Sequence, residues 1–181
     1  IKPMIDLKKY VRTVPDFPIS GVQFRDITSI TENADAFNYS ITKLKSHVAR
    51  FNADCIVGIE SRGFVFGTPV ANDFNLPFIL ARKPNKLPNE TFSKKFKLEY
   101  GDAEIHIQKL SPIEGKVVVI DDLIATGGTA LATADLIHTN WNISKDNILI
   151  LALIDLPKLG GSAIINESGY NSKTIIEFEG I

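Results

Sequence analysis

The chain has 181 residues, 44% of them apolar and 23% charged, with a formal net charge of -1, which suits one globular domain with a full core. It carries no basic tract, so a nucleic-acid partner is not expected, and no apolar run approaches the roughly 18 residues of a membrane span. A single cysteine, Cys55, excludes an internal disulfide framework, and the first residues lack the apolar core of a signal peptide, so the expected location is cytoplasmic.

Residues 5–14 alternate apolar and charged side chains at roughly helical spacing and predict a helix that Pro15 stops. Pro15-Asp-Phe-Pro-Ile-Ser-Gly21 reads as a rigid loop, and residues 22–31 as an irregular segment over the core, the kind that carries function more often than a core does. Residues 34–51 form an amphipathic helix, with Phe37, Ile41, Leu44 and Val48 on one face. A buried strand follows at 54–60 and places Cys55 inside the protein. It ends in Glu60-Ser61-Arg62-Gly63, before a helix over 64–74 with Pro69 near its first turns. Gly63 would let the backbone approach a ligand, and a plain turn with an exposed arginine reads equally well. Residues 76–81 are a third strand, followed by the cations Arg82, Lys83 and Lys86. Residues 85–97 are polar and weakly periodic, as in a mobile loop or hairpin. Two strands, or one broken at Gly101, then run to Gln108, with His106 facing outward. Val117-Val-Val-Ile120 is a strand buried on both faces, ending at Asp121 and Asp122. A helix over 130–137, a strand over 147–154, a flexible link through Gly160 and Gly161, and an edge strand at 173–179 complete the chain. Trp141 reads as a packing residue. Strands alternate with helices, so the class is α/β with an open, mainly parallel sheet and flanking helices.

The order strand, acid pair, glycine turn, helix at residues 117–137 carries the chemistry. In such sheets ligands sit at the carboxyl ends of the strands. Ala125-Thr126-Gly127-Gly128-Thr129 offers backbone N–H groups and two hydroxyls at a helix start, which favours a phosphate dianion. No Gly-x-x-x-x-Gly-Lys-Ser/Thr and no Gly-x-Gly-x-x-Gly occurs, which disfavours γ-phosphoryl transfer and dinucleotide redox chemistry. Two adjacent carboxylates can accept the hydroxyls of a ribose or hold the water shell of Mg²⁺, and a buried acid pair is costly without such a partner. A sugar phosphate with a metal ion is the expected ligand. The residues alone do not name its acceptor.

The stretch from Val118 to Thr129 resembles the phosphoribosyl-diphosphate (PRPP) motif of the type I phosphoribosyltransferase family. Pro15-Asp-Phe-Pro18, Gly21-Val-Gln-Phe-Arg-Asp-Ile27, Ser61-Arg-Gly-Phe-Val-Phe-Gly67, Arg82-Lys-Pro-Asn-Lys-Leu-Pro88 and Leu98-Glu-Tyr-Gly101 are similar to its adenine-specific branch in order and spacing. Gln23 and Ile124 depart from the usual residues at their positions, and the chain after Leu156 carries little of the signal. The resemblance implies the type I phosphoribosyltransferase fold in a single domain over 1–181, with a small N-terminal hood over about residues 1–32 that binds the base, and a mobile catalytic loop at about 83–108. It implies transfer of ribose 5-phosphate from PRPP to N9 of adenine, giving AMP and pyrophosphate. By the same resemblance, Ala125, Thr126, Gly127, Gly128 and Thr129 hold the 5-phosphate. Asp121 and Asp122 hold the ribose hydroxyls and, largely through water, Mg²⁺ as cofactor. Glu60, Ser61, Arg62, Arg82, Lys83 and Lys86 surround pyrophosphate. Gln23 and Arg25 read adenine through their backbone, and Phe24 and Leu123 sandwich its ring. Glu99 and Arg62 are the catalytic residues, with Glu99 the general acid/base, and Tyr100 closes the lid. The resemblance also implies a homodimer in which part of the basic loop serves the partner subunit's site.

Overall fold

A computed structural model describes residues 4–98 and 101–180. The N-terminal stretch is not the expected helix. Asp6 caps only a single 3₁₀ turn, Leu7–Tyr10, by accepting from the Lys8 N–H. The chain then extends into β1 (Arg12–Pro15), which pairs antiparallel with β2 (Gln23–Asp26). Pro15 favours an extended residue before it, and pairing with β2 completes the ladder that a helix would otherwise supply. Residues 22–31 are correspondingly more regular than a loop: after β2 comes a short helix, α1 (Thr28–Thr31). Leu7, Val11, Ile27 and Ile30 are buried against the main core and fasten this unit to it.

The remaining chain alternates as its sequence predicts. α2 (Ala34–Phe51) is capped by Asn33, whose side chain accepts from the Ala36 N–H, and it buries Ile41, Leu44 and Val48. β3 (Cys55–Ile59) is fully buried, and its apolar surroundings push the Cys55 thiol up to about 11, an inert core residue. α3 (Arg62–Asp73) begins two residues earlier than expected, so Pro69 lies in the helix interior rather than near its first turns. β4 (Phe78–Ala81) leads to β5 (Thr91–Leu98) and β6 (Gly101–Gln108), an antiparallel hairpin in full register that begins before the predicted strands do. Phe92 and Phe96 of β5 and Ile105 and Ile107 of β6 share one face of the hairpin and pack on the core. His106 lies on the opposite face but is only 17% exposed, held between Thr91 and Glu104. β7 (Val117–Ile124), α4 (Gly128–Asn140), β8 (Ile148–Asp155), α5 (Gly161–Glu167) and β9 (Asn171–Glu177) follow. Trp141 ends α4, donating from Nε1 to the Ser111 carbonyl at 3.1 Å and meeting Phe92 edge-on.

The main sheet has the order β4-β3-β7-β8-β9, with every neighbouring pair parallel. One face is covered by α2, α3 and the N-terminal unit. The other is covered by α4, α5 and the β5–β6 hairpin. β3 is followed on one side by β4 and on the other by β7, so the strand order reverses between β3 and β7. The crevice at the carboxyl ends of those two strands is where such a sheet receives a ligand.

Candidate active site

The acid pair does not follow the end of its strand. β7 continues through Asp121 and Asp122 to Ile124. The physical reason lies in its two neighbours. β3 pairs with β7 only as far as Ile120, whereas β8 stays paired through Ile124. From Asp121 onward the strand is therefore held on one side and open on the other, toward the crevice. Asp122 is 5% exposed, and its carboxylate accepts from Arg62 Nε at 2.7 Å. The Asp122 N–H donates to the Asp121 carboxylate at 2.8 Å. Part of Asp121 reaches the cleft surface, but desolvation, and then the charge of neighbouring Asp122, push its carboxyl well above the usual range. Such a group is made for a cation or for hydroxyl donors.

Arg62 opens α3, beyond the carboxyl end of β3. The Glu60–Ser61 peptide that precedes it is cis. Its guanidinium is half exposed, pairs with Asp122 and lies 5.9 Å from the centre of the Phe24 ring on β2. One side chain thus joins the N-terminal unit to the acid pair. Gly63 is required here by packing: a Cβ there would stand 2.7 Å from the Ile120 carbonyl oxygen and 3.2 Å from Asp121 Cα. The close approach it permits is that of α3 to β7.

The glycine turn matches its expected form. Gly127 has φ +83° and precedes α4 with no capping side chain, which leaves the first N–H groups of the helix without intrahelical acceptors. Ala125, Thr126, Gly127, Gly128 and Thr129 line a small recess of about 100 Å³ together with Asp121 and Leu123. What the sequence reading missed is Gly161. Its N–H donates to the Ala125 carbonyl at 3.1 Å, and a Cβ on it would lie 2.5 Å from that oxygen and 2.6 Å from the Gly127 nitrogen. The supposed flexible link is a packing surface under the turn. A glycine pair looks the same in sequence whether it serves freedom or contact.

Beside the recess, and sharing Asp121, Leu123 and Thr129 with it, is a cleft of about 850 Å³. Glu60, Ser61, Arg62 and Lys83 line it, together with Lys95, Phe96, Leu98, Asp102 and Glu104 of the hairpin. The expectation of a lid at this stretch pointed to the hairpin without naming these side chains. Arg82 and Lys86 are not among the lining residues. Arg82 turns its Nε to Glu60 at 3.2 Å, and the same carboxylate oxygen accepts from the Lys83 N–H at 2.7 Å. Glu60 therefore braces the basic loop rather than offering a free carboxylate to an anion. Lys86 is exposed. Gln23, Phe24 and Arg25 lie together on β2. The Arg25 side chain reaches outward, to the Thr13 hydroxyl at 2.6 Å and over the Phe178 ring at 4.5 Å, so only its backbone remains for a base. Phe24 meets Phe17 edge-on, and Leu123 lines the cleft. Glu99 and Tyr100 lie outside the described residues.

Among the described lining residues, Glu60, Asp102, Glu104, Asp121 and Asp122 are acidic and Arg62, Lys83 and Lys95 are basic. A cleft of that balance does not hold a polyphosphate without added cations. No cluster of three or more His, Cys, Asp or Glu able to cage a metal is found among the described residues. The donor set fits Mg²⁺ held by one or two carboxylates, with water and substrate oxygens completing its shell.

The Phosphoribosyl transferase domain family matches residues 26–140. A relative from Pseudoalteromonas atlantica, an adenine phosphoribosyltransferase, is 45% identical over 180 residues, 98% of this chain and 99% of its own length. The crystal structure of adenine phosphoribosyltransferase from Thermoanaerobacter pseudethanolicus aligns with a TM-score of 0.85 at 40% identity, covering 96% of this chain and 98% of that one. The APRTase of Giardia lamblia, crystallised with 9-deazaadenine, aligns with a TM-score of 0.87 at 32% identity over 96% of each chain. With the acid pair and glycine turn standing at the switch point of the sheet, and with likeness of this extent along nearly its whole length, the chain belongs to the phosphoribosyltransferase family, in its adenine phosphoribosyltransferase group.

Proposed function

We propose that this protein transfers the 5-phosphoribosyl group of PRPP to N9 of adenine, forming AMP and pyrophosphate in purine salvage. The observation that carries the proposal is the joining, in one crevice, of an acid pair, an uncapped glycine turn and an arginine in contact with both Asp122 and Phe24. The relatives named adenine phosphoribosyltransferase supply the acceptor.

Scission of the C1′–O bond to the diphosphate leaves an oxocarbenium-like ribosyl centre and a highly charged leaving group, and the N9–C1′ bond replaces it. The protein must hold the 5-phosphate, neutralise the diphosphate and keep water out. In this reading residues 125–129 bind the 5-phosphate through backbone N–H groups and the Thr126 and Thr129 hydroxyls. Asp121 and Asp122 accept the ribose hydroxyls. When bound, Mg²⁺ neutralises diphosphate charge, and the same two carboxylates hold it largely through water. Ser61, Arg62 and Lys83 face the diphosphate. Arg82 and Glu60 set the basic loop, and Lys86 belongs to the contacts that a homodimer brings. Residues 1–32 act as the hood over the base, with Phe24 and Leu123 on its two faces and the backbone of Gln23 and Arg25 reading its edge. Glu99 exchanges the purine proton and Tyr100 helps close the loop over about residues 83–108. The homodimer is supported by the resemblance and by the exposed apolar side chains of Val65 on α3 and Leu80 on edge strand β4. The proposed location is the cytoplasm, which suits a chain whose only cysteine is a buried thiol.

A panel of adenine, hypoxanthine, guanine, uracil and orotate, each offered with PRPP and Mg²⁺, tests the proposal by pyrophosphate release. Release dependent on adenine is expected. Release independent of adenine, or faster with another base, would refute it.

A further inference from the structure

The hairpin side of the cleft carries a cation that the motifs do not mark. Lys95 on β5 stands opposite Glu104 on β6 in the antiparallel register, and both line the cleft that Arg62 and Lys83 also line. The Lys95 Nζ is 3.6 Å from a Glu104 oxygen, and its side chain is 80% exposed. A pair so long and so solvated is weak and readily exchanged. Glu104, in contrast, is fixed. Its other oxygen accepts from His106 Nε2 at 2.9 Å, and His106 Nδ1 accepts from the Thr91 hydroxyl at 2.8 Å, the tautomer a carboxylate partner requires. That hydrogen bond is also the first cause of the lowered Glu104 carboxyl, which stays charged. The His106 backbone in turn bonds to Arg82 in both directions, at 2.9 Å and 2.8 Å, anchoring this part of the hairpin to the chain just after β4. Lys95 therefore sits on a fixed mount with a loosely held head, in the same cleft as the basic loop to which β6 is anchored.

We propose that Lys95 is a binding residue for the diphosphate moiety of PRPP and for the pyrophosphate product, held on Glu104 in the empty cleft and transferred to diphosphate oxygens when ligand enters. Such an exchange adds a third cation, with Arg62 and Lys83, to the leaving group. Glu104 is the partner Lys95 leaves, and His106 is a positioning residue that keeps Glu104 from following it.

The inference rests on the cleft being the PRPP site, and the test separates the two. In the reverse direction, with AMP and pyrophosphate as substrates, AMP contains every substrate group except the diphosphate. Lys95→Ala is expected to raise KM for pyrophosphate about tenfold, the size of one solvent-screened charge-assisted hydrogen bond, and to leave KM for AMP unchanged. Lys95→Arg is expected to retain most of the pyrophosphate affinity. Glu104→Gln, which releases Lys95, is expected to lower KM for pyrophosphate. A parent protein that makes no AMP at all removes the reading of the cleft itself. An active parent whose Lys95→Ala variant keeps its pyrophosphate KM, or raises the pyrophosphate and AMP constants together, overturns the assignment of Lys95 alone, and a Glu104→Gln variant whose KM does not fall overturns the exchange.

Discussion

Arg62 and the two carboxylates of β7 set the electrostatics of the site at the scale of single residues. Asp122 has its counter-ion 2.7 Å away. Asp121 has none so close among the described residues and is pushed up by burial and by Asp122. In the unfolded chain the Asp121 carboxyl ionises near its ordinary value of 3.8; in the folded chain it holds its proton to higher pH. Its contribution to stability is complete below the unfolded value and is lost as the pH rises through the folded one. Metal-free protein is thus expected to gain from Asp121→Asn at about pH 8 and to gain less at about pH 5. Thermal melts at the two pH values check this, and a variant no more stable than its parent at the higher pH contradicts it. The same substitution removes a carboxylate proposed to hold the ribose hydroxyls, so it should weaken PRPP binding while stabilising the empty fold, the usual opposition between function and stability at a site. Glu99, which resemblance makes the acid/base, should behave differently: Glu99→Ala is expected to lower kcat by about 10²–10⁴-fold with PRPP affinity nearly intact. Unchanged turnover would take Glu99 out of the mechanism.

Elements, rather than single side chains, aim these groups. β7 has partners on both sides up to Ile120 and on one side beyond it, and the change of pairing turns a buried strand into the wall of a crevice. α4 then begins where β7 ends, and α5 begins against the turn between them. That last contact is backbone on backbone. Gly161→Ala would place a methyl group 2.5 Å from the Ala125 carbonyl oxygen, so the turn and the start of α5 must move apart. The substitution is expected to cost about 1–3 kcal/mol of stability and to raise KM for PRPP more than KM for adenine. Urea denaturation and the ratio of the two constants measure both effects. Equal changes in the two constants would mean that the turn does not hold the 5-phosphate. The hairpin is fixed to the same helix from the other side. Lys94 pairs with Asp135 of α4 at 3.3 Å, and Tyr170 donates to the same carboxylate at 2.5 Å. The hairpin and the glycine turn therefore share α4 as their support.

For the molecule as a whole, the α/β class, the buried strands and the order strand, acid pair, glycine turn, helix were legible in the sequence. The reason is that β-branched runs such as Val117-Val-Val-Ile120, the Asn33-capped amphipathic α2 and the glycine turn state their structure locally. Residues 5–14 misled because Leu7 and Val11 are buried in a unit whose ladder is completed by β2, a partner far enough along the chain that no local pattern reveals it. Gly161 misled, and the packing role of Gly63 stayed hidden, because a close approach to another backbone leaves no mark besides the glycine itself. Lys95 and Glu104 were invisible because cross-strand register, not spacing, brings them together. The acidic balance of the described cleft residues also belongs to this scale. PRPP with Mg²⁺ should protect the fold far more than PRPP alone, by about 3 kcal/mol at a hundredfold excess over Kd, and equal protection without the metal would contradict the charge argument. The most direct test of the central claim follows the bond itself. Adenine labelled with ¹⁵N at N9, PRPP and Mg²⁺ are incubated with the protein and the product is read by NMR. The expected result is AMP with the labelled nitrogen bonded to C1′, formed in step with pyrophosphate. Pyrophosphate released without that bond, or ribosylation at another nitrogen, would contradict the proposed reaction.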